Sequence, residues 1–284
     1  MSGARPPDEV LAFYALGLEA GRLEVDYFPL ERARTQELIL RHLPKPPRVV
    51  LDVGGAAGAY SFWLAESGYE THLLDPVPLH VDAARAASSA REQGKLASAQ
   101  VADARALPFG DAAADAVLLL GPLYHLTERA DRLRALREAL RVLRPGGWLF
   151  AAAISRYASL VDGLRGPLFD DSVFAAIVAR DLASGQHRND TGNPRYFTTA
   201  FFHDPAELAE ETGVAGFELV DVVAVEGVAA SMPDFARRWA DAAARERLLA
   251  FVRAVETEPS LLGASPHLLA IARRPATDAR STTV

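Results

Sequence analysis

An apolar run at residues 49–53 passes directly into Gly54-Gly55-Ala56-Ala57-Gly58, and a helical-looking stretch at 59–68 then leads to a second apolar run at 71–74. A strand that turns through glycines into a helix and returns as a strand predicts a βαβ unit, whose glycine turn lets a ligand approach the backbone closely. Gly68 supplies the helix stop. The alternation continues with a helix ending near Gln93, a strand near 99–102 and an apolar strand at 116–120. A helix carrying Leu133, Leu136, Leu140 and Leu143 follows, then a Pro145-Gly146-Gly147 turn and a strand at 148–154. Strands alternating with helices predict a parallel sheet wrapped on both faces, the doubly wound α/β class.

The rest of the chain is arranged around this core, residues 48–154. In the front segment, residues 1–47, the stretch from about Asp8 to His42 has helical periodicity interrupted at Gly21 and Pro29, and it ends in Pro44, Pro46 and Pro47, a stiff connector. This front segment is either a packing extension or a helical lid over the C-terminal edge of the sheet, with Tyr27, Phe28, Glu31 and Arg34 as its polar aromatic and charged face. Residues 155–203 break into Gly-, Asn- and Pro-punctuated pieces and predict an inserted cap over the edge where open α/β sheets bind ligands. Regular structure resumes at Asp204-Pro205-Ala206-Glu207, which reads as N-cap, N1 proline and capping-box acid. Strands at 217–225 and 267–272, with a helical stretch around 235–255 between them, complete a C-terminal part at 204–274. Residues 275–284 read as a disordered tail.

Composition narrows the function. The chain has 284 residues, 50% of them hydrophobic, enough for a large core. Thirty Lys and Arg against thirty-seven Asp and Glu give a net charge of -7, which disfavours a nucleic-acid partner. The absence of Cys excludes disulfides, thiolate metal sites and Cys nucleophiles. The first residues lack a signal-peptide pattern and no apolar run is long enough to cross a bilayer, so the expectation is a soluble cytoplasmic protein without a membrane partner.

The glycine turn alone is weak evidence of a ligand. An NAD-type loop needs Gly-x-Gly-x-x-Gly, whereas this register offers Gly54-x-Ala56-x-x-Ala59. Asp52, two residues before Gly54, is expected near the mouth, where it would repel a pyrophosphate and attract a cationic cofactor. Asp75 ends the second strand and is either a helix N-cap or an acceptor for ribose hydroxyls. Asp103 is either a turn residue or an acceptor for an adenine amine.

Together these segments resemble the Rossmann-like class I S-adenosylmethionine-dependent methyltransferases. The stretch from Val50 to Gly58 is similar to the family's first motif, with Ala56 at its middle glycine. Asp75, the Asp103-Ala104-Arg105-Ala106-Leu107-Pro108-Phe109 segment, Asp115-Ala116-Val117 and Leu143-Arg144-Pro145-Gly146-Gly147 match further motifs in order. The resemblance implies a seven-stranded sheet whose last strand is antiparallel. It also implies S-adenosyl-L-methionine as cofactor, bound by Asp52, Gly54, Gly55, Gly58, Asp75, Pro76, Asp103, Ala104 and Gly121, and Arg34 in the lid is expected to pair with the cofactor's carboxylate.

Methyl transfer needs an acceptor held in line in a water-poor pocket more than it needs a strong catalyst. Tyr124 and His125, just after the fourth strand, are the candidates for orientation or general base, His125 alternatively bonding the next helix near Thr127. Tyr27, Glu31, Arg156, Tyr157, Tyr196 and His203 are the candidates for acceptor binding, with His187 and Arg195 also in the cap. Asp75 and His80 lie five apart, not the helical metal-pair spacing, and no metal site is expected. The expected function is methyl transfer to a small molecule, an aromatic or secondary-metabolite compound, by a monomer or homodimer. The alternatives are a non-catalytic adenosyl-cofactor-binding regulator and an NAD-dependent oxidoreductase.

Overall fold

The computed structural model describes residues 8–17 and 21–276. Most of the expected tail, residues 277–284, and the first residues, 1–7, lie outside the described residues. Helices α1 (Asp8–Ala15) and α2 (Phe28–His42) precede β1 (Val49–Val53), α3 (Ala59–Glu66), β2 (Glu70–Asp75), α4 (Pro78–Ser89) and β3 (Ser98–Val101). Then come β4 (Ala114–Leu119), α5 (Pro122–His125), α6 (Arg129–Val142) and β5 (Leu143–Ile154). The cap holds α7 (Ala158–Arg165), α8 (Ser172–Ser184) and the short strands β6 (Gln186–His187) and β7 (Ala200–Phe201). The chain closes with α9 (Pro205–Val214), β8 (Glu218–Ala224), α10 (Phe235–Ala240), α11 (Ala242–Val255) and β9 (His267–Arg273).

Seven strands form one sheet in the order β3-β2-β1-β4-β5-β9-β8, with β1 to β5 parallel and β9 antiparallel to both neighbours. The order reverses between β1 and β4, so the β1–α3 and β4–α5 loops diverge there and open a crevice at the strands' C-terminal ends. Strand alternation sends Leu51, Val117, Leu119 and Leu149 to a core shared with Leu136 of α6 and Leu208 of α9. It sends Val50, Leu118, Phe150 and Ile271 to the opposite core with Leu38 and Ile39 of α2 and Leu64 of α3. Each fully buried leucine contributes about 2 kcal/mol of transfer free energy, and both faces supply several.

Local signals account for several helix starts. Asp204 accepts from the Ala206 amide at 2.9 Å, and the Glu207 side chain accepts from the Asp204 amide at 3.1 Å, completing the capping box. Pro29 was expected to interrupt a helix. It instead opens α2 in its first turn, where its missing N–H costs nothing. Helix 235–255 is two helices, meeting at Asp241, whose side chain caps the second by accepting from the Ala244 amide at 2.7 Å. Among the described residues no helix is long and apolar enough to cross a membrane.

Candidate active site

The loop after β1 is a tight structure. The Gly54 and Gly55 amides both donate to the Leu74 carbonyl, at 2.7 and 3.2 Å, tying the loop to the end of β2. Gly54 has φ +78°, and a Cβ there would meet Pro122 Cδ at 2.7 Å. Gly58 has φ +96°, and its added Cβ would strike Phe62 at 2.8 Å. Ala56 also adopts a left-handed conformation, φ 48°, at the position where the resemblance puts a glycine. A non-glycine residue there is strained, and it persists because its amide donates to Asp75 Oδ2 at 2.9 Å.

This loop forms one wall of a cleft of about 340 Å³. Gly54, Asp75, Pro76, Asp103, Ala104, Gly121, Tyr124 and His125 of the sequence candidates meet in its lining. Asp75 is 4% exposed, its second oxygen accepting from the Val77 amide at 2.8 Å and lying 3.1 Å from His80 Nδ1. Asp75 is therefore not the N-cap of α4, a position held by Val77; its carboxylate ties the glycine loop to the start of that helix and lies in the cleft lining. Asp103 faces the cleft with its carboxylate engaged by the Arg105 amide and guanidinium, which also binds Asp131.

Asp52 is not at the mouth. Alternation along β1 turns its side chain toward α3, where it is 1% exposed and accepts from Ser61 Oγ at 2.5 Å. Burial raises its pKa to about 6, and Oδ1 has no hydrogen-bond partner. Gly55 is needed because a Cβ would sit 2.8 Å from Asp52 Oδ2, and Gly58 because of Phe62, so both shape the loop from behind rather than lining the cleft. The charge that favours a cation lies in the lining itself, where Asp75, Asp103, Glu128 and Asp131 face a single guanidinium, Arg105.

The front segment reaches the cleft through different residues from those expected. Val10, Leu11 and Tyr14 of α1 lie in the lining, and the Tyr14 hydroxyl is 2.5 Å from His125 Nε2. Glu9 anchors α1 to the cap by accepting from Thr199 Oγ1 at 2.6 Å, and Phe13 meets Phe197 edge-on at 5.3 Å. Arg34 is wholly buried and ion-paired to Glu37 and Glu256, away from the cleft. Leu30 of α2 packs with Leu248, Leu249 and Val252 of α11, and Glu256 at the end of α11 takes the Arg34 guanidinium. Glu31 is held by Arg22 at 2.7 and 3.0 Å, outside the cofactor cleft. Helix α1 falls inside the stretch whose periodicity predicts helix, but nothing in its pattern marks Tyr14 as the residue that reaches the cleft.

Burial pushes the His125 pKa down to about 4, against a smaller opposing influence of the Thr199 backbone and Asp75. The imidazole is thus neutral at pH 7, a weak base and a good hydrogen-bond partner for Tyr14. Tyr124 donates to the Leu120 carbonyl at 3.2 Å and packs on His125 at 4.7 Å.

A second cavity, also of about 340 Å³, adjoins the cleft, because Tyr14 and Tyr124 line both. Its walls are aromatic, with Phe13, Tyr27, Phe28, Phe174, Tyr196 and Phe197, and its polar groups include Asp162, His187, Arg195 and His267. Tyr27 and Tyr196 are therefore in place as walls. Arg156 instead pairs with Glu207, and the Tyr157 hydroxyl lies 3.4 Å from Asp204, both at the start of α9 and outside the cavity. His203 is fully buried with Nε2 3.3 Å from Glu211, which also binds Arg132 at 2.7 Å. These three residues brace the cap on α9 and α6, a role their sequence positions could not distinguish from pocket lining. His187 is held between Asp181 at 2.9 Å and the Tyr196 carbonyl at 2.7 Å. His267 and Asp162 also line this cavity, though neither lies near a sequence motif.

A methyltransferase domain model matches residues 51–151. The ubiquinone/menaquinone biosynthesis C-methyltransferase UbiE of Acidiphilium cryptum (strain JF-5) is 34% identical over 210 residues, covering 71% of this chain and 80% of that protein. The chain belongs to the class I S-adenosylmethionine-dependent methyltransferases. The ubiquinone biosynthesis O-methyltransferase of Azorhizobium caulinodans is 27% identical over 234 residues, with 76% of this chain and 82% of that protein covered. A solved S-adenosylmethionine-dependent methyltransferase from Methanosarcina mazei shares the fold, with a TM-score of 0.57, 17% identity, and 84% and 98% of the two chains covered. The methyltransferase is thus an enzyme that uses S-adenosylmethionine, and its cleft fits that cofactor: four carboxylates against one guanidinium suit a sulfonium cation and oppose a pyrophosphate.

Proposed function

We propose that this methyltransferase transfers a methyl group to a small, flat aromatic acceptor held in the second cavity. The observation that carries this reading is the shared wall: Tyr14 and Tyr124 border both the cofactor cleft and an aromatic-lined cavity, so an acceptor there faces the methionine end of the cleft. Bound S-adenosylmethionine supplies an electrophilic methyl carbon. Asp75 would hold the ribose hydroxyls, the Asp103–Ala104 turn the adenine, and the backbone at Gly54 and Gly121 the methionine end. The aromatic walls orient the acceptor by stacking and exclude water. Tyr14, fixed by neutral His125, closes the junction from the lid side, a positioning role that suits an imidazole of such low pKa better than general-base work.

The test is acceptor-dependent release of S-adenosylhomocysteine from S-adenosylmethionine over a panel of phenols, hydroxybenzoates, quinols and aliphatic amines. Turnover confined to the flat aromatic members supports the reading. Cofactor binding with no turnover on any member favours the non-catalytic regulator, and turnover on the aliphatic amines alone removes the aromatic assignment.

A further inference from the structure

Two carboxylates converge on one nitrogen of His267, the first residue of β9. Its Nδ1 lies 2.6 Å from Glu226 Oε1 and 3.7 Å from Glu31 Oε2. Glu226 is fully buried and immobilised, its Oε2 accepting from Ser265 Oγ at 2.9 Å and from the His267 amide at 3.2 Å. Glu31 is fixed from the other side by the Arg22 guanidinium. Glu31, Glu226 and His267 bring ligand-type atoms within 4.8 Å of one another, the spacing of a metal site. Each carboxylate nonetheless already faces a cation, so the cluster is balanced without an ion and works as a charged anchor. Burial alone would lower the imidazole's pKa, but Glu31 and Glu226 outweigh it and raise it to about 9, so the ring is cationic at pH 7.

With Nδ1 engaged, Nε2 is the open end of that cation. It has no hydrogen-bond partner among the described residues, and the ring lines the second cavity with 16% of its side chain exposed. Arg195 lines the same cavity and makes no ion pair among the described residues. The neighbouring Asp171 is occupied by the Tyr196 hydroxyl at 2.5 Å and by amides at the start of α8. Among the described residues the only carboxylate in the lining is Asp162, whose pKa burial raises and which Arg165 approaches to 3.6 Å. In a chain of net charge -7, cationic donors turned to this cavity offer an anionic group contacts that a neutral acceptor does not require.

We propose that His267 is a specificity-determining residue of the acceptor cavity, its Nε2–H donating to the carboxylate of an aromatic acid, with Arg195 adding a second positive charge. This rests on the reading that the second cavity holds the acceptor. A charge-assisted hydrogen bond from a buried imidazolium discriminates an anionic oxygen from a neutral amide of the same shape.

The experiment is calorimetric titration of 4-hydroxybenzoate and of 4-hydroxybenzamide into the full chain saturated with S-adenosylhomocysteine. The acid is expected to bind at least about tenfold more tightly than the amide. His267→Gln, which keeps a donor and removes the charge, is expected to abolish most of that preference while leaving S-adenosylhomocysteine affinity unchanged, and Arg195→Ala to reduce it several-fold. Equal affinities in the unaltered protein, or a preference that survives His267→Gln, overturn the inference and leave methyl transfer standing. Arg195 is exposed, so Arg195→Ala and the unaltered protein still decide the matter if His267→Gln fails to fold. Failure of S-adenosylhomocysteine itself to bind overturns the function and this inference together.

Discussion

The hydroxyl of Tyr14 lies 2.5 Å from Nε2 of His125, across 111 residues of chain, and this contact fastens helix α1 over the cofactor cleft. Because the imidazole is neutral, the bond is an ordinary hydrogen bond between uncharged groups, worth about 1 kcal/mol. Tyr14→Phe is expected to weaken S-adenosylhomocysteine binding by a factor of about three to ten. Hydrogen exchange provides the structural check: ligand should protect the amides around Val10 and Tyr14, whereas those of the already buried 30–39 segment should change little. Unchanged exchange at α1 with protection at Gly54 and Ala56 would remove α1 from the site.

Asp75 has two tasks, and its loss should show both. Asp75→Ala strands the amides of Ala56 and Val77 and removes an acceptor from the cleft. Cofactor affinity should fall by roughly 1–3 kcal/mol. An unaltered dissociation constant in an otherwise folded variant rules out Asp75 as a cofactor contact.

The loop separates two kinds of backbone constraint. Gly54→Val forces a side chain against Pro122 at positive φ and should abolish cofactor binding. Ala56→Gly goes the other way, relieving a left-handed alanine, and should keep binding while changing stability by no more than about 1 kcal/mol. A large loss of binding in Ala56→Gly would mean that the alanine methyl itself contacts the ligand.

Asp52 makes stability fall as pH rises through the acidic range. Its pKa in the fold, about 6, lies above the ordinary 3.8, so the native state binds this proton more tightly than the unfolded chain does. That advantage is complete below the unfolded value and is lost as pH climbs through 6. Asp52→Asn keeps an acceptor for Ser61 and removes the buried charge, so its stability relative to the unaltered protein should improve between pH 4 and 7 by about 2 kcal/mol. Urea midpoints at the two pH values measure it, and a pH-independent difference contradicts it.

His267 contributes in the alkaline range. Its pKa is raised from 6.5 to about 9, so the stability it adds is fully present below the unfolded value and disappears as pH rises through 9. Denaturation midpoints should drop between pH 7 and 10 in the unaltered protein, by an amount equivalent to about 2 kcal/mol, and His267→Gln should flatten that drop. An identical alkaline decline in both proteins would separate His267 from it.

The sheet and the glycine turn after β1 are legible in the sequence, although the side Asp52 faces is not. Strand β1, the glycine turn and the capping box at Asp204 depend on neighbours within a few residues, where alternation, positive φ and side-chain caps act directly. Asp75, Asp103 and Gly121 were legible for the same reason, since each sits at a strand end that the topology sends to one edge.

Which charged and aromatic side chains outside those strand ends line the two cavities follows from tertiary packing. Arg34 and His203 look like pocket residues in the sequence, yet packing gives them acidic partners, Glu256 and Glu211, that are 222 and 8 residues away. Tyr14 and His267 carry no motif, yet α1 and β9 deliver them to the two cavities. A polar side chain's role follows from the partner that satisfies it once water is gone, and for these residues that partner is set by how the helices and the antiparallel strand pack, information that no local pattern contains.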